Sequence, residues 1–425
     1  MKRKAGKRFL AVFFMIAGMM CPCDTSSAFW AEDEIIFKES KEEPKESLDT
    51  EFINDSGKDL DVQVELDLGS PSVILLEAKT GTVIYEKNAD EARRPASVTK
   101  VMTLLLAYEA LDSGNMRKED IITISEHAAS MGGSQCYFEP GEQQTVEDMI
   151  KCIVIASGND AAVAMGEHLA GSEAGFVAMM NQRAAELGMV NTHFENACGL
   201  EAEGHLTSAR DIAIMSRELT LKHPDIFNYS GIWMDTIVHK TARGESEFGL
   251  ANTNKLLKQY SGMTGLKTGY TSVAGYSICA TATRNDVDLI AVVMGASTKE
   301  IRNSDVTKLF DYGFAKCRVY QDENNEELLS KVEIKKGKKS TVDLEPVEPF
   351  HYVLIDQDAE NIKKEIKLEN LEAPVKKGQV IGSISYFYGD KLIGELPVMA
   401  KENVEKLSYM DSFFSVLNKF FLVRE

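Results

Sequence analysis

A serine and a lysine three residues apart, Ser97 and Lys100, offer the clearest chemistry in this sequence. Pro95 precedes them, as expected near a helix start, and an apolar run of helical length follows. Residues three apart share a helix face, so Lys100 would be held beside the Ser97 hydroxyl. Burial would lower the pKa of Lys100 and let its amine activate Ser97 without a histidine. The alternative is a capping serine and a solvated lysine, since this spacing is common by chance.

Two later segments predict partners for this pair. Ser157-Gly158-Asn159 interrupts two predicted helices, and the flexible Gly158 lets both polar side chains point to one place. Lys267-Thr268-Gly269 lies in a predicted strand, where a cation and a hydroxyl suit an anion and Gly269 would let a ligand approach the backbone. Lys79-Thr80-Gly81 has the same residue types but lies in a hairpin turn before Ser97, and we interpret it as an ordinary turn.

The elements that must position these motifs combine helices and strands. A hairpin at 72–85 precedes Ser97, and the middle of the chain predicts helices at 145–156, 161–169, 172–187 and from 208 to Pro224. Strands return at 265–282 and 288–295, and a short helix at 308–314 follows. Because strands occur at both ends, we expect an α+β domain whose sheet joins its first and last parts.

The chain changes character after residue 319. Short alternating strands and a tight turn at Gly389-Asp390 predict a small all-β domain. Residues 401–425 predict an amphipathic helix with one apolar face that includes four phenylalanines. This helix suits a membrane surface, but docking onto the β domain or a partner explains the pattern equally well.

The first 69 residues predict an exported protein. Residues 1–28 have a basic start, a short apolar stretch and small residues before a cleavage point after Ala28, which is typical of a signal peptide. The alternative is an uncleaved anchor. Residues 29–69 are rich in acidic side chains and predict a disordered tether.

Composition excludes several function classes. The 425 residues carry a formal charge of −19, which argues against a nucleic-acid partner. Five cysteines remain beyond the signal peptide, odd in number and scattered, so neither a disulfide framework nor a zinc site is expected. Histidine spacing suggests no metal, and nothing calls for a cofactor.

In their order, the three motifs resemble those of the low-molecular-weight penicillin-binding proteins, the serine D-alanyl-D-alanine carboxypeptidases of penicillin-binding protein 5 type. The sequences of residues 191–194, 208–211 and 265–271 also resemble motifs of this family. The order of signal peptide, catalytic domain, β domain and terminal helix resembles the family as well. The resemblance implies a penicillin-binding or β-lactamase-like catalytic domain at 70–318, with an antiparallel sheet flanked by helices. A small β-sandwich domain at 319–400 and the terminal helix would follow.

The resemblance also implies an acyl-enzyme mechanism. Ser97 would attack the bond between two D-alanines of a peptidoglycan stem peptide, Lys100 would take its proton, and Ser157 would relay a proton to the leaving nitrogen. β-Lactams would inhibit by acylating the same serine. The enzyme would work at the outer face of the cytoplasmic membrane or in the cell wall, attached through its terminal helix.

The remaining site residues would bind substrate. A backbone oxyanion hole would use the N–H groups of Ser97 and Tyr270, although Tyr270 stands where the best-known relatives often have histidine. The other candidates would hold the substrate amide or the terminal carboxylate, and they are Asn159, Lys267, Thr268, Gly269 and Arg302. A surface role for Arg302 is an equal alternative.

Other enzymes on this fold remain alternatives. A β-lactamase needs a deacylation base, and no Glu-x-x-Leu-Asn stretch lies between Ser157 and Lys267. A cross-linking transpeptidase usually carries more sequence before its catalytic domain. A DD-endopeptidase uses identical chemistry, and a non-catalytic penicillin-binding scaffold would need no intact Ser97, Lys100 and Ser157.

Overall fold

The structure, a computed structural model, describes residues 65–322, 329, 331–355, 357–369, 371–411 and 413. The predicted signal peptide and residues 29–64 of the predicted tether lie outside this part. The last tether residues are packed: Leu68 is buried, and the carboxylate of Asp305 accepts hydrogen bonds from the backbone N–H groups of Gly69 and Ser70.

The secondary structure follows the predicted order of strands, helices and strands. The described helices are α1 (Lys100–Asp112), α2 (Glu126–Ala129), α3 (Val146–Lys151), α4 (Asn159–Ala170), α5 (Glu173–Glu186), α6 (Ala209–Lys222), α7 (Phe227–Ser230) and α8 (Lys299–Lys316). The strands before α8 are β1 (Ser72–Glu77), β2 (Val83–Lys87), β3 (Ile121–Thr123), β4 (Gln143–Thr145), β5 (Met234–Thr241), β6 (Gly244–Ala251), β7 (Met263–Thr271), β8 (Gly275–Arg284) and β9 (Val287–Ala296).

One five-stranded antiparallel sheet, in the order β2-β1-β9-β8-β7, carries the first part of the molecule. It joins the first and last strands of this part, as predicted. Successive residues of β1 point to opposite faces, so Ile74 packs with α1, α4 and α6 while Leu75 packs with α8. Because both faces are buried, the sheet is a rigid base, and its edge strand β7 is free to line a cleft.

Several elements differ from the prediction, which did not include α2, α7, β3 or β4. The closing helix was expected at 308–314 but begins at Lys299, because the Thr298 side chain caps it by accepting from the Ile301 N–H. The hairpin of β5 and β6 was not predicted, since most of its side chains are at least partly exposed and give no alternating apolar pattern.

The rest of the described chain is β-rich. Its strands are β10 (Cys317–Asp322), β11 (Val332–Glu333), β12 (Thr341–Val342), β13 (Leu344–Pro346), β14 (Phe350–Ile355), β15 (Ile362–Leu368), β16 (Val380–Tyr388) and β17 (Lys391–Ala400). Four form a sheet in the order β13-β17-β16-β15, while β10 pairs with β14 and β11 with β12. The core includes Phe350 stacked on Tyr386, with ring centroids 3.7 Å apart.

The predicted terminal helix lies largely outside the described residues. Residues 401–408 are not helical, because Val404 pairs with Val375 and Lys406 with Gly337 in isolated β-bridges. Helical backbone begins at Tyr409. Within the described residues, we find no helix with the length and apolarity needed to cross a bilayer.

Candidate active site

Ser97 lies on a 3₁₀ turn, Ala96–Thr99, that leads directly into α1. The prediction placed it in the first turn of the α-helix. In a 3₁₀ turn the side chains of residues three apart eclipse one another, so the tighter turn brings Lys100 closer still. Lys100 Nζ donates to Ser97 Oγ at 3.1 Å, as the spacing predicts.

The Lys100 ammonium group is enclosed by oxygen acceptors. It is fully buried and also donates to Asn159 Oδ1 and to the backbone carbonyl of Cys198, each at 2.6 Å. Burial lowers the pKa of Lys100 to about 8, although the nearby negative charge of Asp160 opposes this shift. A neutral amine has two hydrogens, which these two acceptors engage, so its lone pair is left facing Ser97 Oγ.

Ser157 directly follows a π-helical turn, Cys152–Ala156. Its backbone is left-handed, with φ +60°, which turns the chain between that segment and α4. Lys267 Nζ donates to Ser157 Oγ at 2.8 Å and to the Thr268 carbonyl at 3.1 Å. The three predicted motifs therefore meet in one cluster of hydrogen bonds.

Lys267 is the second buried lysine of the site. Burial holds the pKa of Lys267 well below its usual value, and the positive charges of Lys100 and Arg302 lower it further. An anionic ligand beside Lys267 would favour its charged form. The electrostatics therefore suit a site that gains a negative group when it binds.

Asn159 uses both ends of its amide within the protein. Its Oδ1 accepts from Lys100, and its Nδ2 donates to the Gly132 carbonyl at 2.7 Å. The geometry thus gives Asn159 a role in holding Lys100. Its predicted hydrogen bond to the substrate amide stays a prediction.

The strand β7 lies directly against the turn that carries Ser97. A Cβ added to Gly269 would lie 3.0 Å from both the Pro95 carbonyl and the Ser97 backbone nitrogen. A side chain here would therefore crowd the backbone of the Ser97 turn, and the predicted approach of a ligand to Gly269 stays a prediction. Tyr270, next along the strand, is exposed and stacks on Tyr276 with centroids 4.2 Å apart.

The remaining two predicted residues flank Lys267. The Thr268 hydroxyl donates to Thr253 Oγ1 at 2.7 Å and is buried. Arg302 lies in the first turn of α8, also buried, and its guanidinium donates to Asn303 Oδ1. Burial lowers the pKa of Arg302 to about 10. Its burial, and its influence on Lys267, favour the site over the surface alternative.

Sequence reasoning missed the loop that supplies the Cys198 carbonyl. The Asn196 Oδ1 accepts from the backbone N–H groups of Cys198, Gly199 and Leu200, which folds the loop into a tight turn. A Cβ on Gly199 would lie 1.8 Å from the Ala96 carbonyl oxygen, so the loop touches the nucleophile's own turn. A backbone acceptor leaves no side-chain signal, and only the Asn-x-x-Gly pattern hinted at a special turn.

A buried histidine, His205, also links this loop region to the turn that carries Ser97. Since His205 Nδ1 accepts from the Glu195 N–H, its Nε2 carries the hydrogen and donates to Thr99 Oγ1 at 2.8 Å. Burial lowers the pKa of His205 to about 4, so the ring is neutral at physiological pH. Thr103 Oγ1 adds a bond to the Ala197 carbonyl at 2.6 Å.

Comparison with known families agrees with this geometry. A family model described as D-alanyl-D-alanine carboxypeptidase matches residues 60–298, more than half of the chain. The chain belongs to the D-alanyl-D-alanine carboxypeptidase family. A second model, for the C-terminal domain of penicillin-binding protein 5, matches residues 318–406. The resemblance proposed from the motifs is therefore confirmed, and the chain is a serine-type carboxypeptidase of penicillin-binding protein 5 type.

Named relatives extend over most of this carboxypeptidase. The D-alanyl-D-alanine carboxypeptidase DacF of Bacillus subtilis (strain 168) is 44% identical over 81% of this chain and 88% of its own. The carboxypeptidase DacC of Escherichia coli (strain K12) is 34% identical over 78% of this chain and 84% of its own.

Solved structures share the fold. Penicillin-binding protein 5 from Haemophilus influenzae is 29% identical with a TM-score of 0.66, covering 80% of this chain and 99% of that one. A Streptomyces K15 DD-transpeptidase is 28% identical with a TM-score of 0.55, covering 59% of this chain and all of that one. The α+β fold with a β-rich C-terminal domain is thus shared with the penicillin-binding proteins.

Proposed function

We propose that this carboxypeptidase removes the terminal D-alanine from peptidoglycan stem pentapeptides through an acyl-enzyme on Ser97. The observation that carries the assignment is the buried Lys100 amine, which lies 3.1 Å from Ser97 Oγ and is held there by two further acceptors. The neutral amine takes the Ser97 proton as Oγ attacks the carbonyl carbon of the penultimate D-alanine. The backbone N–H groups of Ser97 and Tyr270 then stabilise the oxyanion.

The leaving nitrogen needs a proton when its bond to the carbonyl carbon breaks. The Ser157 hydroxyl accepts a hydrogen bond from Lys267, so its own hydrogen is available for that nitrogen. Ser157 gives this proton to the departing D-alanine and recovers one from Lys267. Water then attacks the Ser97 ester and gives up a proton that returns to Lys267 through Ser157. Lys100 returns its proton to Ser97 Oγ, which frees the serine and the shortened peptide.

The terminal carboxylate of the substrate binds to the Lys267 side of the cleft. Lys267 and Thr268 offer a cation and a hydroxyl, and the buried Arg302 adds positive charge nearby. Carboxylate binding raises the pKa of Lys267 and so supplies the proton donor that the leaving group requires. A substrate without this carboxylate would bind to a less charged and less active site.

We expect the purified protein to release free D-alanine from a stem pentapeptide and to carry penicillin on Ser97. The measurement is D-alanine release together with the mass and position of the penicillin adduct, with Ser97→Ala as the inactive control. Cleavage of cross-linked peptide without D-alanine release would identify an endopeptidase, and rapid penicillin turnover a β-lactamase. Penicillin binding without release of any peptide product would identify the protein as a non-catalytic penicillin-binding scaffold.

The acylation rate should depend on pH through Lys100. Only the neutral amine accepts a proton, so the maximal rate at saturating penicillin should rise with its midpoint near pH 8 and level off about one pH unit higher. Stopped-flow acylation across this range, with thermal unfolding as a check on folding, measures the midpoint. A flat profile would show that Lys100 does not titrate in this range and would contradict its pKa of about 8.

The enzyme acts on peptidoglycan outside the cytoplasm, and we propose attachment to the outer face of the membrane. The signal peptide would export it, and the terminal segment would lie in the membrane interface. The exposed apolar side chains of Tyr409, Met410 and Phe413 support this arrangement. β-Lactams reach Ser97 from the same side as the peptide substrate.

A further inference from the structure

Three segments of the β-rich part meet at one end of the hairpin formed by β16 and β17. They are residues 335–339, 371–378 and 401–407, which we call the lysine face. Backbone bonds join them: the Lys338 N–H donates to the Glu405 carbonyl at 2.8 Å, and Lys335 forms a β-bridge with Glu372. The Lys377 N–H also donates to Asn403 Oδ1 at 2.8 Å. The segments therefore form one surface.

In and beside the lysine face, single buried residues separate the exposed lysines from one another. Ile334, Gly337, Ala373, Val375 and Val404 point into the core and are buried. The lysines between them point outward, and all of them are exposed. Isolated β-bridges, turns and bends make up this backbone, and the hydrogen bonds between the three segments hold it together.

The charge of this face opposes that of the chain. It holds eight lysines against three glutamates, a net of five positive charges in a protein of −19. Lys336, Lys338 and Lys339 pair with the three glutamates. Within the described part of the chain, four lysines of the face form no ion pair, and they are Lys335, Lys376, Lys377 and Lys406.

Apolar side chains continue directly from these cations. The chain leaves the face at Leu407, whose N–H donates to the Lys336 carbonyl at 2.8 Å. Tyr409 is 97% exposed, Met410 61% and Phe413 58%. Cations beside apolar side chains match a surface that has anionic headgroups over an apolar interior. A soluble polyanion would match only the lysines.

We propose that the lysine face binds anionic phospholipid headgroups and seats the β-rich domain on the membrane. This inference rests on the membrane attachment proposed above and adds selectivity for lipid charge. The apolar terminal segment enters the interface, and the unpaired lysines lie over the phosphates. The acidic remainder of the protein is repelled from the same surface, so the molecule is oriented with its β-rich end towards the lipid.

The test is sedimentation of the full exported chain with vesicles of phosphatidylcholine alone or mixed with phosphatidylglycerol, at low and high salt. Wild type should prefer the anionic vesicles, and high salt should remove the preference. The triple variant K376Q/K377Q/K406Q should bind anionic vesicles at least about tenfold more weakly and neutral vesicles unchanged. Its penicillin acylation should match wild type, since these lysines are not among the residues that hold Ser97 and Lys100.

A matched control removes three exposed lysines elsewhere in the same domain. K363Q/K367Q/K391Q changes the net charge equally, and Lys391 lies at the opposite end of the β16–β17 hairpin. This variant should keep the anionic preference. Equal losses in both triple variants would reduce the effect to net charge and overturn the proposal.

Two other outcomes separate this inference from the function on which it rests. Binding to neutral vesicles without anionic preference would overturn the lysine face alone. No binding to any vesicle would overturn membrane attachment as well, while D-alanine release tests the enzyme independently. Competition by soluble poly(glycerol phosphate) as effective as by vesicles would assign the face to a wall polymer and overturn the lipid proposal.

Discussion

Replacing Lys100 by methionine is expected to slow the acylation of Ser97 by penicillin by about 10²–10⁴-fold. Methionine is of similar length but has no amine, so Ser97 loses the group that lies 3.1 Å from its oxygen. In the folded protein the nearby Lys267 amine bonds to Ser157, so it is not placed to take over. Stopped-flow acylation at saturating penicillin measures the loss.

The sequence itself offers a matched control for Lys100. Lys79 belongs to the other Lys-Thr-Gly segment, is partly exposed and pairs with Asp288 at 3.4 Å. Lys79→Met should leave acylation unchanged. Thermal unfolding of both variants separates catalysis from folding. If folded Lys100→Met acylates within tenfold of wild type, another group must accept the Ser97 proton.

Gly199→Ala should destabilise the protein by about 3 kcal/mol or more and slow acylation as well. Its φ is +86°, which disfavours any side chain, and a Cβ there would lie 1.8 Å from the Ala96 carbonyl oxygen. The Ala96 carbonyl belongs to the backbone, so the loop or the nucleophile's turn must move. Because the adjacent Cys198 carbonyl holds Lys100, that movement should also disturb the base.

Gly114→Ala is a matched control for Gly199→Ala, because it introduces the same backbone strain without a steric clash. Gly114 has φ +74° at the end of α1, and nothing lies within 4 Å of an added Cβ. This change should cost only about 1 kcal/mol from the left-handed conformation and leave acylation unchanged. Urea unfolding of the two variants gives both values. Similar destabilisation in both would show that the loop yields easily and that the predicted contact is unimportant.

The predictable part of the site was the part made of charged and hydroxyl side chains. Residue types and spacing alone predicted a reactive cluster of Ser97, Lys100, Ser157 and Lys267. The fold brings these four residues together. Local rules also gave the sheet that joins both ends of the catalytic part, since strands and helical caps leave periodic patterns. The predicted α8 starts too late because its true start depends on one side-chain cap, at Thr298.

The unpredicted part depends on backbone atoms and on long-range packing. The need for glycine at position 269 comes from the Ser97 turn, which is 172 residues earlier in the chain (269 − 97). The double engagement of Asn159 depends on Gly132 in a separate loop. No local pattern encodes such contacts, because they exist only after distant segments have packed.

The Cys198 carbonyl has a consequence for how this site tolerates genetic change. A carbonyl is common to all twenty amino acids, so the codon for residue 198 is free to vary within the limits of space. The codons for Asn196 and Gly199 are not, because one folds the loop and the other admits the neighbouring turn. Selection would therefore act on the shape of the main chain at Asn196 and Gly199, and not on the side chain of the residue whose carbonyl binds Lys100.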